Sequence, residues 1–287
     1  MKKHLSTIIV VIIFICGLSI FLYPTISNLY NEYLNTQLIS DYKDAYDSIK
    51  PEDKNRALED ARLYNETLGD PQKQKELGLK YENMLNLADN GIMGYIEIPK
   101  ISVSLVINHS IEENVLQKGI GHVPESHLPI GGKSTHAVLA GHTGLPSAKL
   151  LTNIDHLKVG DDFYIHILDE VLRYSIDDIS VVEPTEVSHL NVISGKDCVT
   201  LVTCTPYGVN SHRLLVRGVR VQSGSFDPDA LFVSNDILHI DIEYVLTFSL
   251  IGLLIVFVAI RMLFKRRKKK KDEKEKEGNG ENQEKNE

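Results

Sequence analysis

Cys204 is the residue of this 287-residue chain best placed to act as a nucleophile. It closes the run CVTLVTC, rich in the residues that favour strands, and a Pro-Tyr-Gly-Val-Asn turn signal follows at once. A second strand-like run, HRLLVRGVRV, then opens with His212 and Arg213. Hairpin geometry brings the end of one strand beside the start of the next, so Cys204 and Arg213 can face one cleft. A fixed cation near a thiol favours the thiolate. The same guanidinium can hold a carbonyl oxygen or the oxyanion that develops on it. Most free cysteines are simply small buried residues. Cys198, with neither turn nor cation close by, reads as one of those.

A thiolate that makes and breaks acyl bonds needs a proton carrier, and histidine suits that task near neutral pH. The chain has 11 histidines, so position has to select among them. His142 ends the run THAVLAGH and begins the turn GHTGLP, the same strand-end location as Cys204. His136 lies at the other end of that run, and His156 falls in a helical stretch. His212 sits directly beside Arg213 and is the rival on local grounds. The residues alone leave His142 and His212 both open.

The remaining cysteine, Cys16, lies in an apolar run near the N-terminus. Cys198 and Cys204 are six residues apart on one strand, roughly 20 Å. A disulfide needs Cα atoms within about 7 Å. Both thiols are therefore expected to be free, which in a domain outside the cell calls for a reason.

The elements that position these groups lie between two apolar runs. The first, Leu5 to Tyr23, carries no charge and would span roughly 28 Å as a helix, about the hydrocarbon thickness of a bilayer. No small-residue cleavage pattern follows it, so it reads as an uncleaved anchor. The second, Tyr244 to Phe264, carries only Arg261 and is followed by Lys265 to Lys271, KRRKKKK. Basic flanks at both ends place both termini in the cytoplasm and residues 24–243 outside. Over residues 24–240, 18 basic residues face 30 acidic ones, so the outer part is acidic, and an acidic surface repels nucleic acid.

Residues 24–90 read as helical, with a break and restart at Pro51 and turn punctuation at both ends of 69–78. From Gly91 to about residue 222 the texture is β: GYIEIPKI, VSLVINH, THAVLAGH, DDFYIHIL, LRYSIDDISVVEP, CVTLVTC and HRLLVRGVRV. Short helical pieces interrupt them, IEENVLQKG, SAKLLTNIDHL and SHLNV. Many strands with few helices imply a mainly β barrel or sandwich. Residues 223–243 form a linker, 244–264 the second span, and 265–287 a basic then polar tail. No Cys/His pair has structural-zinc spacing, no acidic calcium loop appears, and IGGKST lacks the spacing of a phosphate loop. No metal and no cofactor is expected.

With these residues in view, TLVTCTPYGVNSHRLLVRG resembles the catalytic segment of sortases, and specifically of the pilin-polymerising class C sortases of Gram-positive bacteria. GYIEIPKI, the stretch from Val115 to Asp161 and the two-span layout fit as well. The resemblance implies an eight-stranded sortase β-barrel over residues 91–222, with short helices, an N-terminal helical and lid region, and two transmembrane helices. It makes Cys204 the nucleophile, His142 the proton carrier and Arg213 the clamp, choosing His142 over His212 by analogy. It implies cleavage of a Leu-Pro-x-Thr-Gly-like signal between Thr and Gly through a thioester, which a lysine of a second pilin resolves. The partners implied are pilins or surface proteins bearing that signal, and the membrane. Wall anchoring to a peptidoglycan amine, plain hydrolysis, and a non-enzymatic membrane scaffold are the alternatives. Class C sortases carry a lid with Asp-Pro followed by an aromatic residue. Here Asp70 and Pro71 are suitably placed, but Gln72 follows, so a lid pairing of Asp70 with Arg213 would lack its ring.

Overall fold

The computed structural model describes residues 2–221 and 250–252, and for residues 2–11, 13 and 14 the backbone alone. Among the described residues no helix is long and apolar enough to cross a membrane. The expected second span lies outside them except for 250–252, which are helical, and so do the linker at 223–243 and the tail at 265–287.

Four helices are described. Helix α1, Lys2–Asp47, contains the first apolar run and continues through Pro24. Helix α2, Pro51–Glu66, starts on Pro51 at the first helical position, where a missing N–H costs nothing. The turn-punctuated segment at 69–78 is a six-residue helix, α3 (Pro71–Glu76). The Lys73 backbone N–H donates to the Asp70 carboxylate at 3.0 Å, so Asp70 is its N-cap. Helix α4, Glu113–Leu116, falls within IEENVLQKG.

The strands are β1 (Ile92–Ile98), β2 (Val103–His109), β3 (Ile120–His122), β4 (Thr135–Gly141), β5 (Asp162–Ile167), β6 (Glu170–Val182), β7 (Asp197–Thr205) and β8 (His212–Arg220). They close into a barrel in the order β1-β2-β3-β4-β7-β8-β6-β5. Closure leaves no open edge. The pairs β2–β3 and β4–β7 are parallel and the rest antiparallel. The parallel pair β4–β7 places the two expected chemistry-bearing strands side by side at the same end.

Inward residues such as Ile96, Ile107, Ile120, Leu139, Phe163, Tyr174, Leu201 and Val216 form one core. A smaller cluster on the outside joins Ile39 and Tyr42 of α1 to Ile92, Tyr95 and Val106. That cover explains why every residue of β1 is buried and why its sequence does not alternate cleanly.

The run SAKLLTNIDHL departs from expectation. Only Ile154–His156 forms a 3-10 turn there. Leu150 takes a left-handed φ of 40°, and α1 takes up neighbouring backbone groups. Asn31 donates to the Ser147 carbonyl and the Lys149 N–H donates to Asn28. Backbone groups committed to another element cannot build a helix of their own.

Candidate active site

Side chains of β7 alternate. Val199 and Leu201 point into the core, so Cys198, Thr200, Val202 and Cys204 take the outer face. Cys204 pairs in register with Arg213 of β8, and residues directly opposite share a face. Ala140 of β4 pairs with Val202, two residues before Cys204 on β7, and His142 is the first residue past the end of β4. The three expected residues therefore come to the same end of the barrel.

The same alternation separates the two rival histidines. His212 pairs with Thr205, so it belongs to the opposite face from Cys204 and Arg213. Its Nε2 lies 3.3 Å from Glu183, and its Nδ1 2.8 Å from the Ser211 hydroxyl.

Arg213 and His142 are each held locally. The Arg213 guanidinium donates to the carbonyls of Asn210 and His212, at 3.4 and 3.2 Å, which fastens the turn after Cys204. The Leu151 N–H donates to the His142 carbonyl at 3.2 Å. The imidazole of His142, 24% exposed, has its Nε2 3.3 Å from a carboxylate oxygen of Glu113 on α4. Glu113 is held below the usual carboxylate range, first by a hydrogen bond from Gln117 and then by His142. Sequence reading missed Glu113, because nothing local marks a residue whose partner lies 29 positions away.

Tyr207 is a second residue that reading missed. It reaches from the turn after Cys204 to the turn after His142 and covers Gly144. A methyl group on Gly144 would stand 2.9 Å from the tyrosine ring, and its φ of +76° also favours glycine.

Asp70 and Pro71 stand at the start of α3. Asp70 caps α3, Gln72 reaches Glu76, and no ion pair joins Asp70 to Arg213 among the described residues. All three cysteines are free. Cys198 is buried, which pushes its thiol up and leaves it a poor nucleophile.

The outer face continues away from Cys204. Arg217 lies four residues along β8 from Arg213, about 13 Å at strand rise. There the segment between β6 and β7 lies over the sheet and with Arg217 forms an open pocket of about 280 Å³, lined by Ser188, His189, Asn191, Val192 and Ile193. An extended peptide with a carbonyl at Cys204 would reach this pocket about four residues away. The segment between β6 and β7 is tied down by His136, which is almost fully buried. Its Nδ1 donates to the Asn191 carbonyl at 2.9 Å, and its Nε2 accepts from the Thr200 hydroxyl at 2.7 Å. Among the described residues no cluster of three or more His, Cys, Asp or Glu could hold a metal ion.

Comparison with known proteins adds to this geometry. Residues 96–221 match the sortase domain family. Sortase A of Bacillus anthracis is 33% identical over 129 residues, 44% of this chain and 59% of that protein. A crystal structure of Clostridium perfringens sortase C with its C-terminal cell wall sorting motif is 39% identical, with a TM-score of 0.58, and covers 66% of this chain and 100% of its own. Sortase C1 of Streptococcus agalactiae is 43% identical, with a TM-score of 0.61 and the same coverage, 66% of this chain and 100% of that one. Identity at this level, sustained over the whole of a solved sortase, means that the chain belongs to the sortase family.

Proposed function

We propose that this chain is a cysteine transpeptidase that cuts a Leu-Pro-x-Thr-Gly-like sorting signal and joins it to an amine. The observation that carries the reading is the in-register pairing of Cys204 with Arg213, with His142 just past the end of the neighbouring parallel strand β4. The Cys204 thiolate attacks the Thr carbonyl carbon, and Arg213 balances the charge that develops on its oxygen. As the C–N bond breaks, His142 gives a proton to the departing amine, leaving a Cys204 thioester. An incoming amine then attacks the thioester, His142 takes its proton, and the thiolate leaves. A thioester keeps the acyl group activated, so an amine can compete with water where the cleft limits hydrolysis.

The acceptor in this reading is a lysine of a second pilin. The likeness to sortases C supports it, because it takes in 66% of the chain, more than the barrel alone. The likeness to sortase A supports the second reading, transfer to a peptidoglycan amine. The reading also places the enzyme in the membrane through residues 5–23 and 244–264, with both termini inside and the barrel outside. The test supplies the full chain with a sorting-signal peptide and either a pilin-derived lysine peptide or a peptidoglycan stem peptide. Cross-linked product with the lysine peptide is expected. Product with the stem peptide alone would move the assignment to wall anchoring, and hydrolysis alone would contradict transfer.

A further inference from the structure

The two faces of helix α1 have opposite chemistry. One face carries Asn28, Asn31, Asn35, Ile39, Tyr42 and Tyr46, spaced three, four, four, three and four residues apart, the repeat of a single helical stripe. This face docks on the barrel. Lys149 N–H donates to Asn28 at 2.7 Å, Asn31 donates to the Ser147 carbonyl at 2.8 Å, and Asn35 donates to the Lys118 carbonyl at 3.0 Å. The Tyr42 hydroxyl donates to the Met93 carbonyl and accepts from the Leu168 N–H.

The other face is apolar and aromatic. Ile20, Phe21, Tyr23, Ile26, Tyr30 and Tyr33 are between 57% and 76% exposed. Tyr23, Ile26, Tyr30 and Tyr33 also recur at helical spacing, roughly opposite the asparagines.

The length of chain without charge identifies what covers this face. Between Lys3 and Glu32 there is no Asp, Glu, Lys or Arg. That is about 40 Å of helix at 1.5 Å per residue, close to the thickness of a whole bilayer with its headgroups rather than of its hydrocarbon alone. Tyrosines at the end of such a stretch are what a bilayer interface favours. A protein partner would explain the apolar face but not this length.

We infer that the end of this stretch, from Asn28 to Tyr33, lies in the headgroup layer of a lipid bilayer, and that Asn28 and Asn31 hold the turn following His142 against the bilayer surface. The asparagines that clamp the turn lie about 2–6 Å before Glu32, where the uncharged stretch ends, and so fall within a headgroup layer about 5–8 Å deep on each side. The active site is thereby fixed at the membrane surface instead of hanging on a flexible stalk. This inference rests on the membrane reading above.

The chain has no tryptophan, so a single introduced one reports alone. The full chain is reconstituted into phosphatidylcholine–phosphatidylglycerol vesicles, with or without lipids brominated near the headgroup end of the acyl chain. Tyr30→Trp and Pro146→Trp are both expected to lose emission on the brominated lipid. Asp44→Trp, exposed on the same helix about 30 Å beyond Tyr23, is expected to keep it. Adding Asn28→Ala and Asn31→Ala should restore the emission of Pro146→Trp and leave Tyr30→Trp quenched. Ser147→Trp repeats the turn measurement should Pro146→Trp fold poorly. Quenching of Tyr30→Trp without either turn reporter would overturn the docking. Absence of quenching at Tyr30→Trp would overturn the membrane reading beneath it.

Discussion

Arg213 sits across from Cys204 because the two strands pair in register, and its guanidinium is already oriented by two carbonyls of its own turn. A planar fork held this way cannot be replaced by a point charge on a flexible stem. Arg213→Lys should therefore keep the fold and lower kcat by roughly 100-fold, the scale of losing one oxyanion donor. Steady-state kinetics on a sorting-signal peptide would check it, and unchanged kcat would show that charge alone suffices. Asp70 offers a contrast at the same scale. Its carboxylate caps α3, so Asp70→Ala should cost about 1 kcal/mol at most. It should also leave the rate of Cys204 alkylation unchanged, and a faster rate would restore a lid role. The strand ends at Cys204 and His142 and the cation at Arg213 were legible in sequence, because a turn signal follows each strand. Glu113 and Tyr207 were not, since their partners are set by how loops meet.

At the scale of elements, the arch between β6 and β7 depends on one buried imidazole. His136 uses Nδ1 for the arch and Nε2 for Thr200, and asparagine and glutamine separate the two roles. His136→Asn sets an amide N–H near the Nδ1 position, whereas His136→Gln reaches only toward Thr200. The expected result is a KM for the peptide donor raised about fivefold by His136→Gln, as for one lost hydrogen bond, with kcat kept. His136→Asn should stay close to the wild type in KM. Equal effects of both would mean that His136 acts only on stability. Seven of the eight strands announced themselves by β-rich runs between turns. The eighth, β3, has three residues, too few for any periodicity to appear. The SAKLLTNIDHL run misled for a different reason. Its apolar spacing is helical, but Asn28 and Asn31, more than a hundred residues away, bind its backbone.

Across the whole molecule, acid should loosen the barrel through its buried histidines. Burial pushes the His122 imidazole down to about 4, where it is held neutral between Tyr81 and the His127 carbonyl. An unfolded histidine takes a proton near pH 6.5. The stability that comes from the neutral form is thus complete above about 6.5 and is lost as the pH falls through about 4. The slope is about 1.4 kcal/mol per pH unit within that window. His127 and His136 are shifted in the same direction by burial and add to it. Thermal unfolding between pH 7 and 4 should show Tm falling steeply in that interval, and a flat profile would mean that these histidines are not buried neutral. The barrel as a whole could be anticipated from strand count and turn spacing, but the stripe that fixes α1 to it could not, because its asparagines look like ordinary helix surface in sequence.

The central claim is that Cys204 carries the acyl group. The most direct measurement is the intact mass of the full chain after brief exposure to a Leu-Pro-x-Thr-Gly peptide, for the wild type and for Cys204→Ala. The account predicts that the wild type gains the mass of the acyl fragment ending in Thr and loses it on adding hydroxylamine, while Cys204→Ala gains nothing. An adduct of the same mass on Cys204→Ala, or release of the peptide's C-terminal fragment by Cys204→Ala at the wild-type rate, would contradict it.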